Sequence, residues 1–413
     1  MKENSKSLTI GIGIVIIIET LCATYLLKHP RYSSGISIVY FLSGILISFL
    51  LLFLPQVRFK NQDAGSPFVR YASLILILFT AVYCFYYTRY WIGTTPLSYE
   101  YADMLPMIKV MDERFLSGHI NQVYQPIPEI WGGAQSAYFP AMWLPYCAGV
   151  IANIDLRWIN SFALFTSFAI CLFIARQTKN LWAAIIFITN FLILVAWLYT
   201  ESVHNFIRLT EEGVVVLYYM LFFLAIISRK PVLIGVSLGF CLLSRFSIIG
   251  WIPAITIYFL LQKRFKELLL IGGSCLLIIL LLLILPFGWS TTYQIMQRAS
   301  VYMLSTSNVW EQHPEYFTNY LGFARFFIPG HLKSLHHTLI TVSFLLPMLF
   351  VFICHYLKKR SNINNVLLAT GKLSLVVFYS FIYVPYLYLF YTSSMVSLLI
   401  AAFLARNGKR EMV

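Results

Sequence analysis

The chain has 413 residues, 59% of them hydrophobic and 11% charged, with a formal net charge of +14. An ordinary soluble domain is roughly 25% charged, so a water-soluble fold is excluded. The Lys and Arg residues fall in short clusters between apolar spans, which argues for membrane topology over a nucleic-acid-binding face.

The first apolar run, residues 9–27, follows Lys2 and Lys6 as a signal peptide would. It lacks an A-x-A-like cleavage site and reads as a retained signal-anchor helix. Further runs fall at about 36–55, 73–92, 158–175, 180–199, 213–228, 231–247, 248–262, 268–288, 338–357, 364–386 and 388–405. About 20 apolar residues cross a bilayer, so an all-α polytopic membrane protein of about twelve transmembrane helices is expected. It is read as a single membrane domain, 1–413. The runs 213–228 and 248–262 are short for a full span and need neighbouring protein or a thinned bilayer at their ends.

Six basic clusters set the orientation: Arg58, Lys60 and Arg70; Arg176 and Lys179; Arg229 and Lys230; Lys263, Arg264 and Lys266; Lys358, Lys359 and Arg360; Arg406, Lys409 and Arg410. The positive-inside rule places all of them, and both termini, in the cytoplasm of an inner membrane. Twelve spans satisfy this only if the apolar segment 140–154 skims the membrane without crossing. Eleven of the sixteen acids then face outward: Glu100, Asp103, Asp112, Glu113, Glu129, Asp155, Glu201, Glu211, Glu212, Glu311 and Glu315. Acids contribute little to insertion, so this concentration points to an extracytoplasmic functional surface. Two outer loops are expected to be long, about 93–157 and 289–337, with a shorter one reading TESVHNFIRLTEEG. Long connections in compact proteins tend to be functional or disordered; rich in aromatics and prolines, these are expected to be ordered.

The seven cysteines are scattered, with no CxxC and no Cys/His pair at metal spacing, so disulfide and zinc readings are weak. No repeat of 20–50 residues and no inverted pair of interrupted helices appears.

In the first loop, Asp103 is followed by Phe115, Gly118, Tyr124 and then Tyr138-Phe139-Pro140 before an apolar helix. After the loop that follows Asn190 comes an Arg229-Lys230-Pro231 turn, then Gly235, Gly239 and the basic Arg245. In this order the sequence resembles the GT-C superfamily of polytopic glycosyltransferases, within it the bacterial polyprenyl-phosphomannose-dependent mannosyltransferase-like branch. The resemblance covers about 73–290, flanked by two extra N-terminal helices in 1–72 and by C-terminal helices in 338–413. The chain departs from the family where Arg245-Phe246 stands for a frequent Lys-Pro, and in lacking an Asp-x-Asp pair in the first loop.

The resemblance implies a glycosyltransferase that moves a hexosyl or pentosyl unit from a polyprenyl-phosphate sugar to a lipid-linked or cell-surface glycan acceptor. No nucleic-acid partner and no cofactor are implied, a divalent metal being left open. Such transfer needs a base for the acceptor hydroxyl and a cationic clamp for the leaving phosphate. Asp103 is the candidate base, with a helix cap or solvated acid as its alternative role, and Glu100 is the nearest substitute. Arg245, flanked by apolar residues, is costly in lipid without a partner. A donor phosphate satisfies it, as does a structural carboxylate or snorkelling. Arg208 and Arg298 are further candidate phosphate ligands; Tyr124, Tyr138, His204, Glu211 and Glu212 are candidates for sugar or acceptor contacts.

Glu311, His313 and Glu315 alternate as weak candidate metal ligands, and Arg325 and Lys333 add to the basic character of the late loop. Glu19, inside the first span, reads as a helix–helix contact. Trp131, Trp143, Trp158 and Trp310 read as interface-belt aromatics or sugar platforms. Two rival functions remain, an O-antigen-type polymerase or ligase and a non-enzymatic lipid or glycan transporter.

Overall fold

The structure is a computed structural model that describes residues 2–28, 30–54, 67–130, 132–178, 181–201, 206–312, 321–327, 331–356, 362–383 and 386–406. Among them the fold is all-helical, with a single isolated bridge between Ile127 and Ala134. Seventeen α-helices are numbered here: α1 Lys2–Ala23, α2 Ser33–Leu51, α3 Pro67–Thr94, α4 Met104–Leu116, α5 Pro140–Trp143, α6 Cys147–Ile151, α7 Arg157–Ala175, α8 Leu181–Thr200, α9 Phe206–Leu209, α10 Glu212–Ser228, α11 Pro231–Leu242, α12 Trp251–Leu261, α13 Phe265–Ile279, α14 Leu285–Gln312, α15 Leu332–Tyr356, α16 Ile363–Ser380 and α17 Leu387–Arg406.

Among the described residues each of the twelve apolar runs contains helix, as lipid demands of any chain that must satisfy its own backbone. Eight helices among the described residues are long and apolar enough to cross a membrane, making the protein an integral membrane protein. Ser7–Ala23, Glu212–Ser228, Pro231–Leu242 and Phe246–Leu261 are shorter. For α11 the cause is local: the backbone turns extended at Arg245, φ −127° and ψ 112°, leaving a helix of about 18 Å at 1.5 Å per residue.

The segment 140–154 forms α5, a 3-10 turn at Leu144–Tyr146 and α6. These pieces are buried against the amphipathic α4. The late loop expected at 289–337 is instead helical through Gln312. The apolar 268–288 run continues through a π segment, Leu280–Ile284, into α14, kinked at Gly288.

The bundle is arranged by polarity as well as by chain order. From Asn364 onward every side chain of α16 is buried, as is every side chain of α17. Around this pair pack α1, α2, α7, α8 and α10. The most apolar segment, α13 with its π extension, buries only Ile271, Cys275 and Leu283. Lipid tails are as apolar as leucine, so leucine-rich helices gain nothing by going inside, whereas Ser, Thr and Lys side chains do. That partition puts the C-terminal helices at the centre.

α7, α10 and α17 run the same way. At their far ends stand Arg176, Arg229 and Arg406. Arg229 Nη2 donates to Asn362 Oδ1 (3.1 Å), and Gln262 meets His355 at 3.5 Å, so the basic turns gather at one end of the bundle. The acids of the first loop gather at the other.

Candidate functional site

The acidic end is organised by α7. Asn160 Nδ2 donates to the carbonyls of Phe206 (3.0 Å) and Thr210 (2.8 Å), and its Oδ1 accepts the Gly213 N–H at 2.5 Å. Glycine is required at 213, since a Cβ there would stand 2.3 Å from the Asn160 carbonyl oxygen. The Thr210 hydroxyl accepts the Glu212 N–H at 3.3 Å, and Tyr146 donates to the Glu211 carbonyl at 3.1 Å. These contacts hold Glu211 and Glu212 at the N-terminus of α10, where helix dipoles favour anions.

Arg245 arrives from the break after α11. Its carbonyl accepts the Tyr219 hydroxyl, which also meets Ser247 Oγ at 2.6 Å, and Ser247 donates to Tyr379 at 3.1 Å. Arg245 Nε donates to Glu212 Oε1 at 2.7 Å. Its Nη2 lies 2.9 Å from Glu211 Oε1 and 2.5 Å from Glu212 Oε1. Both carboxylates are 0% exposed while the Arg245 side chain is 27% exposed, so the guanidinium caps the pair. Oε2 of each glutamate has no hydrogen-bond partner. Among the described residues Arg245 Nη1 has none either. Burial pushes the Glu211 carboxyl up to about 7; Arg245 opposes the shift, while Glu212 and Asp103 add to it.

Asp103 takes the N-cap position of α4, but its side chain makes no cap hydrogen bond. It lies within electrostatic reach of Glu211 and Tyr138. The neighbouring Tyr388 hydroxyl, on α17, donates to Met104 Sδ at 3.5 Å. Asp103, Tyr138, Glu211, Glu212 and Arg245 are thus brought together, and of the two alternatives for Arg245 to a phosphate the carboxylate pairing is the one present.

Other expected members stand elsewhere. Arg208 donates through Nε to Thr95 Oγ1 (2.8 Å) and lies 5.5 Å over the Trp91 ring. Arg298 Nη1 donates to the carbonyls of Tyr124 (2.8 Å) and Ser136 (3.3 Å), tying α14 to the first loop. Tyr124 is buried, accepts from Trp143 Nε1 at 3.2 Å and packs on Phe287. Both aromatics are core to that loop, not surface platforms, whereas Trp158 packs against Phe85. Glu100 is exposed in the turn after Ser98. His204, His313, Glu315 and Trp131 lie outside the described residues, as do the side chains of Glu311 and Trp310. Arg325 donates to Ser33 Oγ on α2, and Lys333 is exposed. Among the described residues no three His, Cys, Asp or Glu side chains are grouped as metal ligands.

Three partnerships escaped the sequence reading. Arg157 is buried, pairs with Asp155 Oδ2 at 2.6 Å and donates to the carbonyls of Trp91 in α3 (3.1 Å) and of Thr95 just after it (2.8 Å). Lys372 completes Glu19: its Nζ meets Glu19 Oε1 at 2.5 Å and Ser393 Oγ at 2.6 Å, while Ser397 donates to Glu19 Oε2 at 2.6 Å. A lysine inside a long apolar helix is the unread signal that would have found it. In the first loop Cys147 donates to Asp112 Oδ1 at 3.3 Å. Burial, with Glu113 adding to it, pushes the Asp112 carboxyl up to about 8 against the thiol's opposing hydrogen bond.

No family model, no curated protein and no solved structure matches the chain.

Proposed function

We propose that the protein is a GT-C-type glycosyltransferase that transfers a hexosyl or pentosyl unit from a polyprenyl-phosphate sugar to a lipid-linked or cell-surface glycan acceptor. The reading is carried by one observation: Asp103 from the first loop and Arg245 from the break after α11, far apart in sequence, both lie within electrostatic reach of Glu211 and Tyr138 at the end of the bundle opposite its basic turns. The positive-inside rule makes that end extracytoplasmic.

In the proposed reaction Asp103 takes the proton of the acceptor hydroxyl, whose oxygen forms a bond to the anomeric carbon. The bond from that carbon to the phosphate oxygen breaks, its electron pair leaving with the phosphate. Arg245 Nη1 receives the phosphate charge, as preorganised donors do for developing anions. A lipid-borne donor arrives sideways from the bilayer, in keeping with the absence of a G-x-G-x-x-G motif from the sequence.

The test is transfer by purified protein in lipid, supplied with radiolabelled polyprenyl-phosphate sugars and a membrane-lipid acceptor extract. Asp103→Asn should lower the rate by about 100-fold or more, the usual contribution of a positioned base. Full activity in the variant removes Asp103 from the mechanism. Absence of transfer from every donor, with acceptor competence proven by a control enzyme, rejects the reading in favour of a ligase or transporter.

A further inference from the structure

We propose that anion binding at Arg245 is coupled to uptake of one proton by Glu211, which makes this end of the bundle a proton-linked site for a phosphate monoester. The inference rests on the phosphate reading of Arg245 and adds to it what the neighbouring carboxylates must do.

Two buried carboxylates face one guanidinium, so with both ionised the trio carries a net negative charge before any ligand arrives. A phosphate on Nη1 would add up to two more charges within a few ångströms of groups shielded from water, where such interactions are weakly screened. The groups around Glu211 offer little further relief. Asp103 ahead of α4 is another acid, Glu212 begins α10, and Tyr138, Tyr146 and Tyr388 are neutral phenols. Among the described residues Arg245 is the one cation acting on Glu211. A proton is the remaining means of neutralising the site, and it has a place to go: Glu211 Oε2, buried and without a hydrogen-bond partner.

Glu212 is the less suitable receiver, because its Oε1 takes both Nε and Nη2 of Arg245 whereas Glu211 accepts Nη2 alone. Burial also places Glu211 at about 7 in the unliganded protein, so an approaching anion has only to raise it further. A proton on Oε2 removes one negative charge from the trio, and Glu211 then acts as the positioning residue that sets the charge of the clamp.

The experiment is calorimetric titration of the full chain in zwitterionic-lipid nanodiscs with farnesyl phosphate, and separately with inorganic phosphate, at pH 8 in two buffers of different ionisation enthalpy. At that pH a phosphate monoester is a dianion, its second pKa being about 6, and Glu211 is mostly ionised. Wild type should take up close to one proton per phosphate bound, and its Kd should weaken by about tenfold per pH unit above 7, as one-proton linkage requires. Glu211→Gln, which keeps the shape and removes the titration, should take up almost none and show a nearly flat Kd. Uptake with farnesyl phosphate alone assigns the site to a lipid headgroup; uptake with both assigns it to phosphate as such. Binding by wild type without proton uptake overturns the coupling, and needs no variant to fold. Sugar transfer together with that result would leave the glycosyltransferase reading standing, whereas binding of neither probe removes phosphate from Arg245 altogether.

Discussion

Glu19 and Lys372 illustrate how a charge is kept inside this bundle. Lys372 Nζ directs donors at Glu19 Oε1, Ser393 Oγ and the Ser393 carbonyl, and Ser397 occupies the second glutamate oxygen. Both side chains are fully buried. Desolvation consumes most of the attraction in such a pair, so its net worth is small, yet losing one partner strands the other at a cost of about 3–5 kcal/mol. Lys372→Met should therefore lower the apparent melting temperature in detergent sharply, and Glu19→Leu added to it should restore most of the loss. Additive losses in a double-mutant cycle would reject the pairing as the cause. Asp112 makes a second residue-level prediction, with pH as the variable. Its carboxyl at about 8 lies above the ordinary value of about 3.9, so the folded protein holds a proton that the unfolded chain releases. The stabilisation is complete below about pH 4 and declines as pH rises to about 8. Asp112→Asn keeps a neutral group there, and its melting temperature should fall less than that of wild type between pH 6 and 8.5. An identical fall in both would assign the pH dependence elsewhere.

Between elements, close helix contacts are set by small residues on α11. A Cβ at Gly235 would stand 2.0 Å from Ser274 Oγ and 2.2 Å from the Ile271 carbonyl oxygen of α13. Backbone does not yield as a flexible side chain does, so Gly235→Ala must part the two helices. Overpacking of this kind costs about 1–3 kcal/mol. Gly273→Ala on α13, where a Cβ meets nothing within 4 Å, is the control and should be neutral or stabilising by up to about 1 kcal/mol. Equal melting temperatures for the two variants would show that α13 does not pack on α11 as found. The helices themselves were legible because lipid leaves a spanning chain no other regular form, and among the described residues every run contains helix for that reason. Their depth in the bundle was not: α17 reads like any apolar span, and only its serines and threonines mark it as central. The site was partly legible. Asp103 and Arg245 carried a signal as an acid after a helix and a cation in an apolar stretch. Tyr388 and Tyr379 carried none, because two tyrosines near helix ends look like interface residues until α17 is seen to pass beside α4. Arg298 and Tyr124 read from the sequence as ligand groups; their structural part, joining α14 to the first loop, carried no signal there.

Across the whole molecule, function depends on which side of the membrane the acidic end faces. The ends of α7, α10 and α17 carry Arg176, Arg229 and Arg406, and Lys266 is exposed at the start of α13. Tyr101, half exposed, stands two residues before Asp103 in the opposite turn. All seven native cysteines are buried, so single reporters at these positions can be read against a quiet background. In spheroplasts, Tyr101→Cys should react with a membrane-impermeant maleimide, and Lys266→Cys should react only after permeabilisation. The reverse pattern would put Asp103 and Arg245 in the cytoplasm, where nucleotide-activated sugars are at hand and a lipid-phosphate donor has no advantage over them. Because cationic residues resist translocation while acids hardly influence it, the positive-inside rule predicts the basic turns in the cytoplasm and gives the carboxylates of the opposite face no part in setting the orientation.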